Sequence, residues 1–392
     1  MQPGKGLPPL SPAGPCMNPV ATVSVASALD EHIAATWREL ERSGLSTPYQ
    51  SLDWYAAWLN TVARFSGETP LIVIARDGTD RATLLLPLVL SSRSPVRIAK
   101  FAGDKHSNFN FPLLRSEIAF TPADVARLFD LTALLCPDID LFVLDALPGA
   151  WDGIANPLVG PAARPHTARS SVLILNAEPE SQATTNLTAD RLRKLRRNDR
   201  KFEGFGVNLQ RATSTAEIDR ALGAFVAHKV PWFLARGLQN SFGQPGLIEF
   251  FADLVSRPNA GAEIHYLTAP DGRIIAVAAI LATYRRASLM FFSFDAASPY
   301  AAFSPGLKLV REIVKEARRR HLSEFDFGLG EAPYKESLGA GSHQVFVHVR
   351  PLTAKGRFAA TIIEGRRRSK IFLKQHPALL ATLMRVKRSL TW

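Results

Sequence analysis

The feature that most constrains this chain is a pattern that occurs twice. A short apolar strand, an Asp-Gly turn and a longer apolar return strand lie at 71–75, Asp77-Gly78 and 83–90, and again at 263–268, Asp271-Gly272 and 273–284. Asp-Gly between two β-patterned runs is a strong hairpin signal, because the turn needs left-handed backbone that these residues tolerate. Each hairpin is followed by a third strand (96–101; 287–294), a loop, a helix (122–135; 304–320) and a further strand (141–145; 324–328). The first copy is preceded by helical stretches at 29–42 and 52–63. The second is preceded by a helix at 216–227, with Ile218, Leu222, Phe225 and Val226 on one face, and followed by a strand near 344–349. The two turns are 194 positions apart. The pattern predicts an α/β (α+β) protein: a tandem duplication of one unit, each a mixed, mostly antiparallel sheet flanked by helices.

Length supports two such units, since 392 residues exceed one ordinary core. The expected division is a disordered leader at 1–19, a first lobe at 20–180, a second at 181–355 and a basic helical tail at 356–392. Hydrophobic residues make up 46% and charged residues 21%, so a sizeable core is available. The two cysteines, Cys16 and Cys136, form neither a disulfide framework nor a metal-ligand pattern. No apolar run reaches the roughly 20 residues of a membrane helix, and a cytoplasmic location is expected. The net charge of +12 is unevenly placed. Much of it lies after Lys355, and a second cluster, Arg191, Arg193, Lys194, Arg196, Arg197, Arg200 and Lys201, opens the second half. Such fields attract phosphates or lipid headgroups.

Candidate functional residues fall in loops of both copies. The segment ending in Phe303, Ser304, Pro305, Gly306, Leu307 and Lys308 opens a helix whose first N–H groups suit a pyrophosphate, with Ser304 as N-cap and Lys308 adding charge. FDFGLGEAPYK at 325–335 breaks at two glycines. It presents Asp326, Glu331, Tyr334 and Lys335 at a strand end, which supplies groups for proton transfer. HKVPWFLARG at 228–237 is read as a loop, where His228, Trp232 and Arg236 suit an acceptor bearing a carboxylate, phosphate or sugar. In the first copy, polar loops bring Tyr49, Gln50, His106 and Asn108 toward a cleft, while Trp54 and Trp58 have core spacing. There is no zinc-ligand pattern, no P-loop and no Gly-x-Ser-x-Gly elbow, so a metal site and a hydrolytic triad are not expected.

On LRKLRRNDRKFEGFG at 192–206, HKVPWFLARG, YAAFSPGLKL at 300–309 and FDFGLGEAPYK, the chain resembles the GNAT-like, CelD-type acyltransferases of bacterial cellulose and exopolysaccharide biosynthesis, relatives of the FemAB transferases. The resemblance covers about 47–334. It implies a tandem GNAT fold and transfer of an acyl group from acetyl-CoA or another acyl-CoA to an amine or hydroxyl of a sugar or cell-envelope precursor. In such a reaction Glu331 or Asp326 would act as base and Tyr334 as acid. The usual Gly-rich GNAT phosphate loop is absent, with Phe303 to Gly306 in its place. Two alternatives stay open: a FemAB-like transferase drawing on aminoacyl-tRNA through the basic 191–201 segment, and a non-catalytic accessory of a membrane polysaccharide synthase. For the last, 366–392 would rest on an anionic membrane surface, at the periphery of the inner membrane.

Overall fold

The computed structural model describes residues 18–91, 95–175, 189–283, 285–330 and 332–376. In chain order the strands are β1 (Thr22–Ala26), β2 (Thr69–Arg76), β3 (Ala82–Leu90), β4 (Ile98–Phe101), β5 (Leu113–Leu114), β6 (Leu141–Pro148), β7 (Ala150–Trp151), β8 (Ile154–Ala155), β9 (Arg164–Ile174), β10 (Asn208–Arg211), β11 (Ala262–Thr268), β12 (Ile274–Ala282), β13 (Arg286–Phe294), β14 (Glu324–Leu329) and β15 (Gly341–Pro351). The helices are α1 (Glu31–Ser43), α2 (Leu52–Trp58), α3 (Arg64–Ser66), α4 (Pro122–Leu135), α5 (Ala189–Gly204), α6 (Thr215–Leu234), α7 (Leu247–Ser256), α8 (Pro305–Arg319), α9 (Pro333–Ser337) and α10 (Ala354–Gln375).

One sheet runs through both halves in the order β1-β2-β3-β4-β6-β15-β9-β14-β13-β12-β11-β10. The duplication is visible in it. Each unit contributes an antiparallel meander, β1 to β4 or β10 to β13, and then a strand parallel to the last, β6 on β4 and β14 on β13. A parallel neighbour needs a crossover, and α4 and α8 supply it. The strand that follows in each unit then leaves its own half. β9 pairs antiparallel with β14, β15 pairs antiparallel with β6, and the two exchanged strands pair with each other. The division expected at 180/181 therefore cuts across the sheet, because each lobe is completed by the other's last strand.

Two hydrophobic layers cover the sheet. The larger unites both halves: Trp54 and Trp58 of α2 are fully buried, and their rings meet Phe250 of α7 edge-on at centroid distances of 4.8 and 5.4 Å. The smaller lies under α8, whose Leu309, Val310, Ile313, Val314 and Ala317 are buried along the stripe that sequence periodicity marks. Apolar contact across the whole junction makes the halves one packed body.

Three local features depart from the sequence expectations. The left-handed residue of the first hairpin is Asp80 (φ 65°) and not Gly78, whereas Gly272 (φ 80°) serves the second. The segment from His228 to Leu234 is helical, since α6 continues through Pro231 to Leu234 and carries those side chains on its last turns. Ser304 holds the N-cap position of α8 in left-handed backbone (φ 60°), and its side chain does not cap the helix.

Candidate active site

The site arises where β13 and β14 part. Their parallel pairing covers Arg286–Ser288 and Glu324–Asp326. Beyond it both strands are bent by irregularities in their outer ladders. On β13 the register against β12 slips at Met290, and on β14 the register against β9 slips between Asp326 and Leu329. An extra residue on one strand increases twist and bends it away from its neighbour. Two such bulges at the same level open a wedge.

Asn108, from the first-half loop 103–112, fills the apex. Its Nδ2 donates to the Leu289 carbonyl at 3.3 Å and to Asp326 Oδ2 at 2.6 Å, bridging the two strands where their own hydrogen bonds stop. Asp326 also accepts from Ser170 Oγ at 3.0 Å and from the Gly328 N–H at 2.8 Å. Its carboxyl is buried, and burial pushes its pKa up. Gly328 lies at φ 77°, and a Cβ there would stand 2.8 Å from Asn108 Oδ1, so the position requires glycine on both counts.

Above this bridge the wedge holds a cavity of about 290 Å³. Leu289 to Phe292 form one wall and Phe327, Leu329 and Gly330 the other, with Lys229 of α6 and Tyr334 and Lys335 of α9 completing the lining. Lys335 is buried, and its Nζ donates to the carbonyls of Gly328, Gly330 and Leu329 at 2.9, 2.7 and 3.3 Å. These three acceptors match the three hydrogens of an ammonium group. Lys335 thus clamps the end of β14; burial still lowers its pKa to about 8, against the raising effect of Asp326. Lys229 Nζ sits 5.0 Å from the Trp232 ring centre and 5.7 Å from that of Phe292. Burial, with Arg236 nearby, lowers it to about 8 as well. The Tyr334 hydroxyl is shifted upward by burial and by Asp326, so it stays a proton donor.

The helix-opening segment lies behind Phe292. A Cβ on Gly306 would meet the Phe292 and Phe294 rings at 3.3 and 3.2 Å, so this glycine lets α8 pack closely on β13 and does not face open space. Lys308 pairs with Glu312 at 2.8 Å and Asp199 at 3.4 Å. The N–H groups of Gly306 and Leu307 precede the first intrahelical bond, which Lys308 N donates to Ser304 O at 3.0 Å. Against this end packs the basic helix α5: Asn198 Nδ2 donates to Phe303 O at 3.1 Å, and Lys201 Nζ lies 4.8 Å over the Phe303 ring.

The structure brings Asp326, Tyr334, Lys335 and Asn108 to the wedge, and Trp232 next to it through Lys229. Asp326 is a fully engaged buried bracket, and a base there would have to give up its donors. Asn108, Tyr49, Gln50 and His106 are buried and are not among the residues that line the wedge cavity. Gln50, for instance, holds the loop by donating to Asn110 Oδ1 at 2.8 Å and accepting from Phe111 N at 3.1 Å. Short polar loops look alike in sequence whether they face solvent or bracket a lobe junction. His228 touches Ser293 Oγ through Nδ1 at 3.2 Å, and Arg236 stacks on Trp232 at 4.3 Å. Glu331 lies outside the described residues. Lys229, which the sequence groups with His228, Trp232 and Arg236, is the one of the four that lines the cavity. A larger cavity of about 530 Å³ lies on the other side of Asn108, but its cation Arg286 is tied to Asp152 and Glu324 at 2.8 and 2.7 Å and stacked on Trp151.

The strands that part around this cleft, and the helix N-terminus behind it, lie in a stretch that matches the model of an acyltransferase domain. The family model described as "Acetyltransferase (GNAT) domain" matches residues 189–336, which contain both strands of the wedge but not Asn108 at its apex. Among solved structures the chain is similar to FemX, at 9% identity and a TM-score of 0.58 over 87% of this chain and 100% of that one. It is also similar to the C-terminal domain of a protein assigned as a lysylphosphatidylglycerol synthetase from Agrobacterium fabrum, at 11% identity and a TM-score of 0.51 over 84% and 94%. A protein of unknown function from Bacteroides thetaiotaomicron gives 10% and 0.51 over 85% and 100%. At these identities the likenesses concern the fold. No curated protein sequence matches the chain significantly. No helix among the described residues is long and apolar enough to cross a membrane.

Proposed function

We propose that the chain moves an acyl group from an acyl-CoA, acetyl-CoA in the simplest case, to an amine or hydroxyl of a sugar or cell-envelope precursor, with the reacting carbonyl in the β13–β14 wedge. The observation that carries this reading is the parted pair of strands. Beyond Ser288 the β13 backbone groups on the side away from β12 have no β14 partner, and past Leu289, whose carbonyl Asn108 takes, such groups can bind a thioester arm and a developing oxyanion. The phosphates of the donor would lie toward the α8 N-terminus and the exposed Arg197, Arg200 and Lys201 of α5. The neutral fraction of Lys229 would take the acceptor's proton, and Tyr334 would protonate the departing thiolate. The Trp232–Arg236 stack at the end of α6 would hold an anionic or sugar acceptor.

A second reading is favoured by α5, whose exposed cations beside the α8 N-terminus would also suit an RNA backbone carrying an aminoacyl group. One assay separates the two: release of CoA thiol from acetyl-CoA over a panel of amino sugars and envelope precursors, run beside transfer from aminoacyl-tRNA. Acceptor-dependent thiol release supports the first reading. Transfer from tRNA alone, steeply suppressed by salt, replaces it with the second.

A further inference from the structure

We infer that α10 docks the protein onto an anionic lipid surface. The helix has two apolar faces. One sits on the sheet: Gly356 is buried so closely that a Cβ would stand 1.9 Å from the Asp140 carbonyl, and Thr353 caps the helix start by accepting from Gly356 N. The other faces outward, where Phe358, Ile362 and Phe372 are 70%, 42% and 51% exposed. Their spacing of four and ten residues keeps them on one side of an α-helix, and 14 residues of rise give a stripe about 21 Å long.

Charge decides what can cover that stripe. Lys355, Arg357, Arg366, Arg368 and Lys370 are exposed beside it, and the single carboxylate of the helix, Glu364, is held by Arg367 and Arg368 at 2.7 and 2.8 Å. A second copy of the helix would bring like charge against like. The chain's own continuation would do the same, since Arg385, Lys387 and Arg388 follow without any carboxylate. An apolar line flanked by cations on a convex helix fits a planar anionic interface, with the rings among the acyl chains and the cations at the headgroups. The sequence expectation placed this surface in 366–392, of which 377–392 lie outside the described residues; the face identified here begins earlier, at Phe358.

The test is co-sedimentation of the full chain with vesicles of mixed phosphatidylglycerol and phosphatidylcholine, and with phosphatidylcholine alone. Expected is binding to the anionic vesicles that weakens as salt rises. It should fall about tenfold or more in Phe358→Ser/Phe372→Ser, and by about fivefold for each cation lost in Arg366→Gln/Lys370→Gln. All four side chains are solvent-exposed, so the melting temperature should not move. Equal binding to neutral vesicles, or binding that the four substitutions leave unchanged, would overturn the proposal. So would a concentration-dependent dimer, seen by ultracentrifugation, that Phe358→Ser disperses.

Discussion

Lys229 and Lys335 carry the most informative side chains of the wedge, since both are lysines that burial has pushed down to about 8. For each, the folded state holds the proton less tightly than the unfolded chain does. Between about 8 and the unfolded value near 10.4, the unfolded chain binds a proton that the folded chain does not. Stability should therefore rise with pH across that window, by at most about 1.4 kcal/mol per pH unit for each lysine. Lys229→Met should remove one of the two contributions. It should raise stability at pH 7 by about 1–2 kcal/mol and flatten the rise above pH 8, as read by urea unfolding at pH 7, 8 and 9. An unchanged pH dependence would show that burial does not lower the pKa of Lys229. Asn108 makes a different prediction. Asn108→Ala removes a donor from a buried carboxylate and should cost about 1–3 kcal/mol, although it lies in the other half of the chain from Asp326.

At the scale of elements, the account rests on the irregular turn that ends β14. Gly328→Ala faces both a positive φ and the Asn108 carboxamide, and should destabilise by about 2 kcal/mol or more in the same unfolding measurement. A variant as stable as the parent would mean that the wedge apex is not built as described. The hairpins, α4, α8 and β14 were legible in sequence because each combines a strong period with a turn or cap residue. Other elements were not. β9 carries Arg164, His166, Arg169, Ser170 and Ser171, a polar run that reads as loop although it lies at the centre of the sheet. Strand β1 is short and interrupted by Ser24, and α7 lies in a stretch that sequence left unassigned. The last turns of α6 were read as loop because Pro231 signals a break, yet packing of the apolar face, with Phe225 and Phe233 buried, carries the helix past it. The bulges that create the site leave no pattern in composition, since they are differences of register between two strands.

For the whole molecule, the exchange of β9 and β15 makes a specific demand. Residues 1–180 and 181–392 expressed separately should each be insoluble or lack a cooperative melt, and should form a soluble 1:1 complex when co-expressed. Two independently folding halves would contradict the exchanged strands. The shared core and the Asn108 bridge likewise make the first half part of the wedge in the second half, not a detachable neighbour. The duplication itself was readable from the paired turns, whereas the exchange was not, because periodicity shows which segments are strands and not which strands they join.

Whether the β13–β14 wedge takes an acyl-CoA is read by calorimetric titration with acetyl-CoA, on the chain and on Ala332→Trp. Ala332 lines the cavity, is partly exposed, and has extended backbone (φ −151°), so an indole there should fill the wedge without strain. The account predicts saturable binding by the parent and at least a tenfold loss in the variant, with both proteins melting alike. No binding by the parent, or equal binding by both, would contradict it.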